Sequence, residues 1–168
     1  MEEAGNTRPS RFRSAAYAVF ALALVFAASA VGGMATYENL SPWYQNLVKP
    51  DFTPPSWIFG PVWTGLFLLM AFGFWRVLTR QGGAPVRSWA IRFFLAQLAL
   101  NATWSWMFFA AHSPLLGLIN IVPQTLAVFA TIVLFFQVDR AAGWALLPLG
   151  LWVSFATILN YEIWILNR

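Results

Sequence analysis

The sequence predicts an all-α integral membrane protein, a bundle of five transmembrane helices with a structured proline- and tryptophan-rich first loop. Three observations carry that expectation. Only 10% of the residues are charged and 60% are hydrophobic, against about 25% charged in an ordinary soluble domain. The charges fall in short clusters, leaving runs free of Asp, Glu, Lys, Arg and His at about 14–37, 52–75, 93–111, 113–138 and 141–161. Each run is close to the ~20 residues of helix that cross a ~30 Å hydrocarbon core. The alternating ten-residue strands of a membrane barrel are absent, and helices satisfy every backbone amide within lipid.

Taken in order, residues 1–13 are polar and read as a disordered tail. The first helix is expected at about 14–37. Its basic start and Ala28-Ser29-Ala30 resemble a signal peptide and cleavage site. The apolar run continues well past that point, however, so a retained helix is the better reading. Small residues at Ala28/Gly32 and Ser29/Gly33 lie four apart and would let another helix approach closely. A lid loop is expected at about 38–55, carrying Trp43, Lys49, Pro50, Pro54 and Pro55, with Trp57 just beyond. Proline fixes φ and removes a donor, so this segment should be ordered but irregular. Helix two then begins near Ser56, read as its N-cap, and runs over about 56–77 with Pro61 in its first turns.

Helix three is expected at about 88–111, after a turn containing Gly82-Gly83 and Pro85. Gln97, Asn101 and Ser105 are spaced i,i+4 and share one face, with Trp104 and Phe108 beside them. A minimal turn at 112–114 forces an antiparallel hairpin with helix four, at about 115–138. That helix carries Asn120 and Gln124 one turn apart, with Pro123 as a kink position. Helix five, at about 141–166, follows Asp139-Arg140 and places Trp152, Ala156 and Asn160 in line. There is no internal repeat, so the chain reads as a single domain.

Net charge +4 suggests nucleic acid only until its distribution is read. Arg8, Arg11, Arg13, Arg76, Arg80, Arg87, Arg92 and Arg140 fall on the N-terminal side of five spans; only Lys49 and Arg168 fall opposite. This is a positive-inside pattern, with a cytoplasmic N-terminus and no nucleic-acid role. A bacterial cell membrane fits, or a mitochondrial one in a eukaryote. Contact with lipid is implied throughout, with a weak attraction to anionic headgroups.

The spans hold almost nothing ionisable, which argues against proton relays and coupled pumps. Glu162 is expected at the interface and His112 in a solvated turn. No metal-ligand spacing, nucleophile with a base, or cysteine is present. No cofactor is required, and no catalytic residue is assigned. What remains is neutral polarity and indole. Gln97, Asn101 and Ser105 should point into the bundle, as interhelical bonds or as the lining of a ligand cavity. Trp43, Trp57, Trp89, Trp144 and Trp164 fit an interfacial belt. Trp63, Trp104, Trp106 and Trp152 are deeper and suit either core packing or a flat apolar ligand.

These motifs carry a resemblance. The segment WYQNLVKPDFTPPSWIFGPVWT at 43–64 resembles the first-loop signature of the tryptophan-rich sensory protein/translocator protein family (TspO/MBR, the peripheral-type benzodiazepine receptors). Gln97-Leu98-Ala99-Leu100-Asn101 with Trp104-Ser105 resembles its third-helix motif, and Trp152 with Phe155-Ala156-Thr157 and Leu159-Asn160-Tyr161 its fifth. The resemblance implies a five-helix bundle, often a homodimer, with a pocket beneath the first loop for porphyrins such as protoporphyrin IX. By motif position the pocket would involve Tyr44, Trp63, Gln97, Asn101, Trp104, Trp152, Ala156 and Asn160. Porphyrin trafficking, sensing or stress regulation is the function it implies. Light-dependent porphyrin degradation through Trp63 and Trp152 is an alternative, as is an oligomeric regulatory or scaffold protein using the small-residue faces.

Three departures stand out. Leu149 follows Pro148 where a tyrosine is usual, and Phe52 stands where tryptophan is common. Tyr161 is followed by Glu162, with Arg168 one residue too late to complete the family's sterol motif, which weakens any expectation of sterol as a partner.

Overall fold

The computed structural model describes residues 10–39, 43–80 and 84–168, and every regular element within them is a helix. In chain order these are α1 (Arg11–Asn39), α2 (Ser56–Thr79), α3 (Ala84–Ser105), α4 (Pro114–Val138) and α5 (Arg140–Leu166). A π-helical turn, Trp106–Ala110, continues α3. The expected tail at 1–9, lid positions 40–42 and the turn at 81–83 lie outside the described residues.

Local chemistry explains most boundaries and corrects some. The first helix starts before 14 because the Ser10 hydroxyl accepts from the Arg13 amide at 3.3 Å, so residues 11–13 form its first turn. Pro55, not Ser56, caps α2; the Pro55 carbonyl accepts from Ile58 N–H at 3.0 Å, and Ser56 is the first helical residue. The lid also departs from an irregular loop, since residues 43–46 make a helical turn. Ser113 caps α4 by accepting from Leu116 N–H at 3.2 Å, with Pro114 at the first position, where a missing donor costs nothing. His112 takes φ 50, the left-handed conformation that lets a helix end reverse sharply.

Four of the helices, α1, α2, α4 and α5, are long and apolar enough to cross a membrane. The α3 segment falls short by composition because it carries Arg87, Arg92, Gln97 and Asn101. The helices close a ring in the order α1–α2–α5–α4–α3, each packed on its two neighbours in that order. Sequential hairpins account for α3–α4–α5; the α2–α5 and α1–α3 contacts bring distant parts of the chain together.

The half of the bundle holding the arginines is solid. Phe74, Phe94 and Phe135 stack across α2, α3 and α4 with centroids 4.2 and 5.7 Å apart, and Met70, Val77, Val128, Leu146 and Leu149 fill the space around them. Gly73 permits this: a Cβ there would lie 2.6 Å from Leu146 Cδ1. Asp139 ties this end together. It caps α5 by accepting from Ala142 N–H at 3.0 Å, accepts from Arg76 Nη2 at 2.8 Å and also pairs with Arg80. Burial would raise its carboxyl pKa, but the bonds from Arg76, Ala142 and Arg80 and the Arg76 charge outweigh that and hold it below the ordinary value. Arg87 closes α2 by donating to the Val77 and Leu78 carbonyls. Arg76, Arg80 and Arg87 thus fasten α2, α3 and α5 at this end.

Candidate ligand-binding site

The half of the bundle beneath the lid is hollow. A cavity of about 500 Å³ is lined by α1 (Ala28, Ser29, Gly32, Gly33), α2 (Phe59, Trp63), α3 (Asn101, Trp104, Ser105), α4 (Gln124) and α5 (Trp152, Ala156) among others. None of its described lining residues is charged. At the solid end Trp75 Nε1 donates to Ser14 O at 3.0 Å and Phe20 packs 6.4 Å from Phe74, joining α1 to α2. At the lid end the lining residues Gly33 and Gly60 have open space where a Cβ would project. Tyr37, also lining, is 86% exposed. Among the described residues, the cavity therefore opens between α1 and α2 at its lid end.

The lid is fastened rather than loose. Asn167, at the end of α5, accepts from Val48 N–H at 3.0 Å and donates back to Val48 O at 2.8 Å. Phe52 packs edge-on to Phe155 of α5 at 6.2 Å, which gives this departure from the family pattern a local role. Trp43, expected in the interfacial belt, stacks on His112 at 4.9 Å and meets Phe108 edge-on. Lys49 Nζ donates to Leu47 O at 3.0 Å and Gln45 O at 3.2 Å and lies over the Tyr44 ring. Its ammonium is thereby held by the lid itself. Burial pushes the Tyr44 phenol above its ordinary pKa, keeping it neutral where it lines the cavity. Trp57 is 74% exposed and does not reach the cavity, and neither do Pro50, Pro54 and Pro55.

Of the eight residues named for a pocket, seven line it: Tyr44, Trp63, Asn101, Trp104, Trp152, Ala156 and Asn160. Gln97 does not. It is 0% exposed, and neither amide atom has a protein partner. Two of the seven are already committed elsewhere. Asn160 Oδ1 accepts from Trp104 Nε1 at 3.0 Å, and Asn160 Nδ2 donates to Pro114 O at 2.8 Å. This amide clamps α3, α4 and α5 together, and one face of Trp104 stacks on Phe108 at 4.9 Å. Trp106, grouped with the deep indoles, is 43% exposed and donates to Val31 O of α1 at 3.0 Å. The small residues of α1 also serve the interior: a Cβ on Gly32 would lie 3.3 Å from Ser105 Oγ of α3, while Gly33 faces the mouth.

Sequence reasoning missed Gln124 as a lining residue, although its one-turn spacing from Asn120 was visible. It also missed the π turn. There the Ala111 amide donates to Trp106 O, and the widened turn buries both Phe108 and Phe109 against Tyr44.

With loop, cavity and helix order in place, comparison with known proteins is decisive. The TspO/MBR family pattern matches residues 20–165. The chain belongs to the TspO/MBR family. It is 37% identical over 149 residues to the tryptophan-rich protein TspO of Archaeoglobus fulgidus, covering 89% of this chain and 95% of that one. It is 37% identical to protein CrtK of Rhodobacter capsulatus, over 86% of this chain and 91% of that one. The human translocator protein is 36% identical over 123 residues, 73% of each chain. Membership and the apolar helices together make this an integral membrane protein.

Proposed function

We propose that this protein binds porphyrin-type tetrapyrroles in the membrane and acts in their trafficking or sensing. The observation that supports this most is the cavity itself: about 500 Å³, uncharged, and walled by the rings of Trp63, Trp104, Trp152, Phe59 and Phe67. That volume is in the ~300–1,000 Å³ range of small-molecule sites, and aromatic walls suit a flat conjugated ring. The printed names of the relatives, translocator protein and tryptophan-rich sensory protein, favour transport or sensing. In this reading all five helices cross the bilayer, α3 included, because 93–110 is uncharged, helical and held between α1 and α4. The arginine half faces the cytoplasm of a bacterial cell and the lid faces outward. Two chains associate as a homodimer, which sedimentation in detergent would detect.

The test is tryptophan-fluorescence quenching by protoporphyrin IX in darkness. Saturable quenching at micromolar ligand is expected, with Trp63→Phe plus Trp152→Phe weakening it about tenfold, the scale of ~1.4 kcal/mol. An affinity unchanged within twofold in that double variant would defeat the proposal.

A second reading has a specific support: Trp63 and Trp152, the indoles invoked for light-driven oxidative breakdown of porphyrin, both line the cavity. Product formation under illumination at catalytic amounts of protein would favour it. Loss of porphyrin no faster than in empty micelles would end it.

A further inference from the structure

The arginines of the solid end divide into two sets. Arg76 and Arg80 are paired with Asp139, and Arg87 donates to the Val77 and Leu78 carbonyls. Arg92 and Arg140 are exposed, and among the described residues their guanidinium groups have no hydrogen bond or ion pair. No carboxylate is left for them: Asp139 is the only one at this end among the described residues, since Glu38, Asp51 and Glu162 belong to the lid half.

Each of the two stands beside an exposed tryptophan. Arg92 Cζ lies 5.0 Å from the centre of the Trp89 ring, and Trp89 is 52% exposed. Arg140 is one helical turn from Trp144, which is 61% exposed and meets Phe136 edge-on at 5.5 Å. Neither indole N–H has an acceptor among the described residues. Beyond each pair the outward face turns apolar: Leu95 and Ala99 follow on α3, Leu151 and Ile158 on α5, all exposed. Each arginine thus marks where the outer surface of the bundle passes from headgroup to hydrocarbon. A cation at that depth is costly unless it reaches back to an anion. Arg140 gains nothing from its own helix, because the first turn of α5 is the positive end of the dipole.

We propose that Arg92 with Trp89, and Arg140 with Trp144, are two seats for the phosphate of an anionic phospholipid. In each, the guanidinium donates to phosphate oxygens, the indole N–H donates to the ester region, and the acyl chains lie along the apolar stripe. α4 stands between α3 and α5 in the ring, so the two seats flank it. Charge selects the lipid. A phosphatidylcholine headgroup carries its own cation beside the phosphate, in competition with arginine, whereas phosphatidylglycerol presents an uncompensated phosphodiester. A soluble phosphate lacks the chains that would cover the stripes.

The inference rests neither on the cavity nor on what fills it. The full chain in dodecylmaltoside is given equal amounts of dioleoyl-phosphatidylglycerol and dioleoyl-phosphatidylcholine, and native mass spectrometry counts the lipid retained. Wild type is expected to keep about fivefold more phosphatidylglycerol than phosphatidylcholine. Arg92→Gln and Arg140→Gln should each lower that ratio, and the double variant should bring it to within about twofold of one. Both side chains are exposed, so the core stays intact, and two single variants guard against one failing to fold. Arg168→Gln removes an arginine that lies over Trp164 at the lid end, and it should leave the ratio unchanged. An equal loss there would reduce the effect to net charge and overturn the seats. So would equal retention of the two lipids by wild type, or a preference that survives in the double variant. Displacement of the phosphatidylglycerol by excess inorganic phosphate would overturn them too, as a site for the free anion.

Discussion

Asn160 shows how one side chain can line a cavity and still be bonded within the protein. Its position in the fifth-helix motif marks it, and it does line the cavity, but both ends of its amide are bonded to Trp104 and Pro114. Asn160→Leu should therefore lower stability by about 2–4 kcal/mol, since it strands a buried indole donor and a carbonyl. Thermal unfolding in detergent checks this, and ligand affinity of the protein still folded should change less than threefold. Gly117 depends on the same clamp, because a Cβ there would sit 2.7 Å from Phe108 and 2.8 Å from Asn160 Oδ1. Gly117→Ala is expected to cost about 1–3 kcal/mol as overpacking, measured the same way.

The elements owe their positions to a few bonds between parts of the chain far apart in sequence. The lid is held by the paired Asn167–Val48 bonds, by Phe52 on Phe155 and by Trp43 on His112. Asn167→Ala removes the first of these. Amide exchange at Val48 should then speed at least tenfold, and ligand association and dissociation should both quicken while Kd stays within about threefold, because local opening is released and the cavity walls are untouched. Unchanged exchange would mean that the aromatic contacts alone hold the lid. Spacing in the lid foretells rigidity through its prolines, but the fastening residue is the second from the end of the chain. No local pattern reports a bond across that separation.

At the scale of the molecule, the bundle has a packed half and a hollow half, and Asp139 secures the packed one. Its carboxyl is held below its ordinary pKa. The stability it adds is therefore fully present above the unfolded value of about 3.9 and is lost as pH falls through the lower folded value. Wild type should lose stability on acidification below about pH 4. Asp139→Asn should be less stable at neutral pH by about 1–3 kcal/mol, the cost of losing a charged partner for Arg76 and Arg80. Its difference from wild type should shrink as the pH falls. A difference constant from pH 7 to acid would show that the cap geometry, not the charge, carries the effect.

Composition alone determined that this chain is helical and membrane-embedded, because a sequence with so few charges and such long apolar runs can satisfy its backbone in lipid only through helices. Periodicity put Gln97, Asn101 and Ser105 on one face and Trp152, Ala156 and Asn160 on another, since one turn of helix fixes which side chains share a face; the pocket residues themselves were named by the family resemblance, and seven of them line the cavity. Tertiary structure decided the rest. Whether a buried amide such as Gln97, Asn160 or Gln124 is hidden, bonded or set in a cavity wall depends on what the neighbouring helices place around it. Hydrogen bonding is a pairwise property of groups that can lie far apart in the chain, as Trp104 and Asn160 do at a separation of 56 residues. A single helix's pattern names the polar residue; only the packed ring of five reveals its partner.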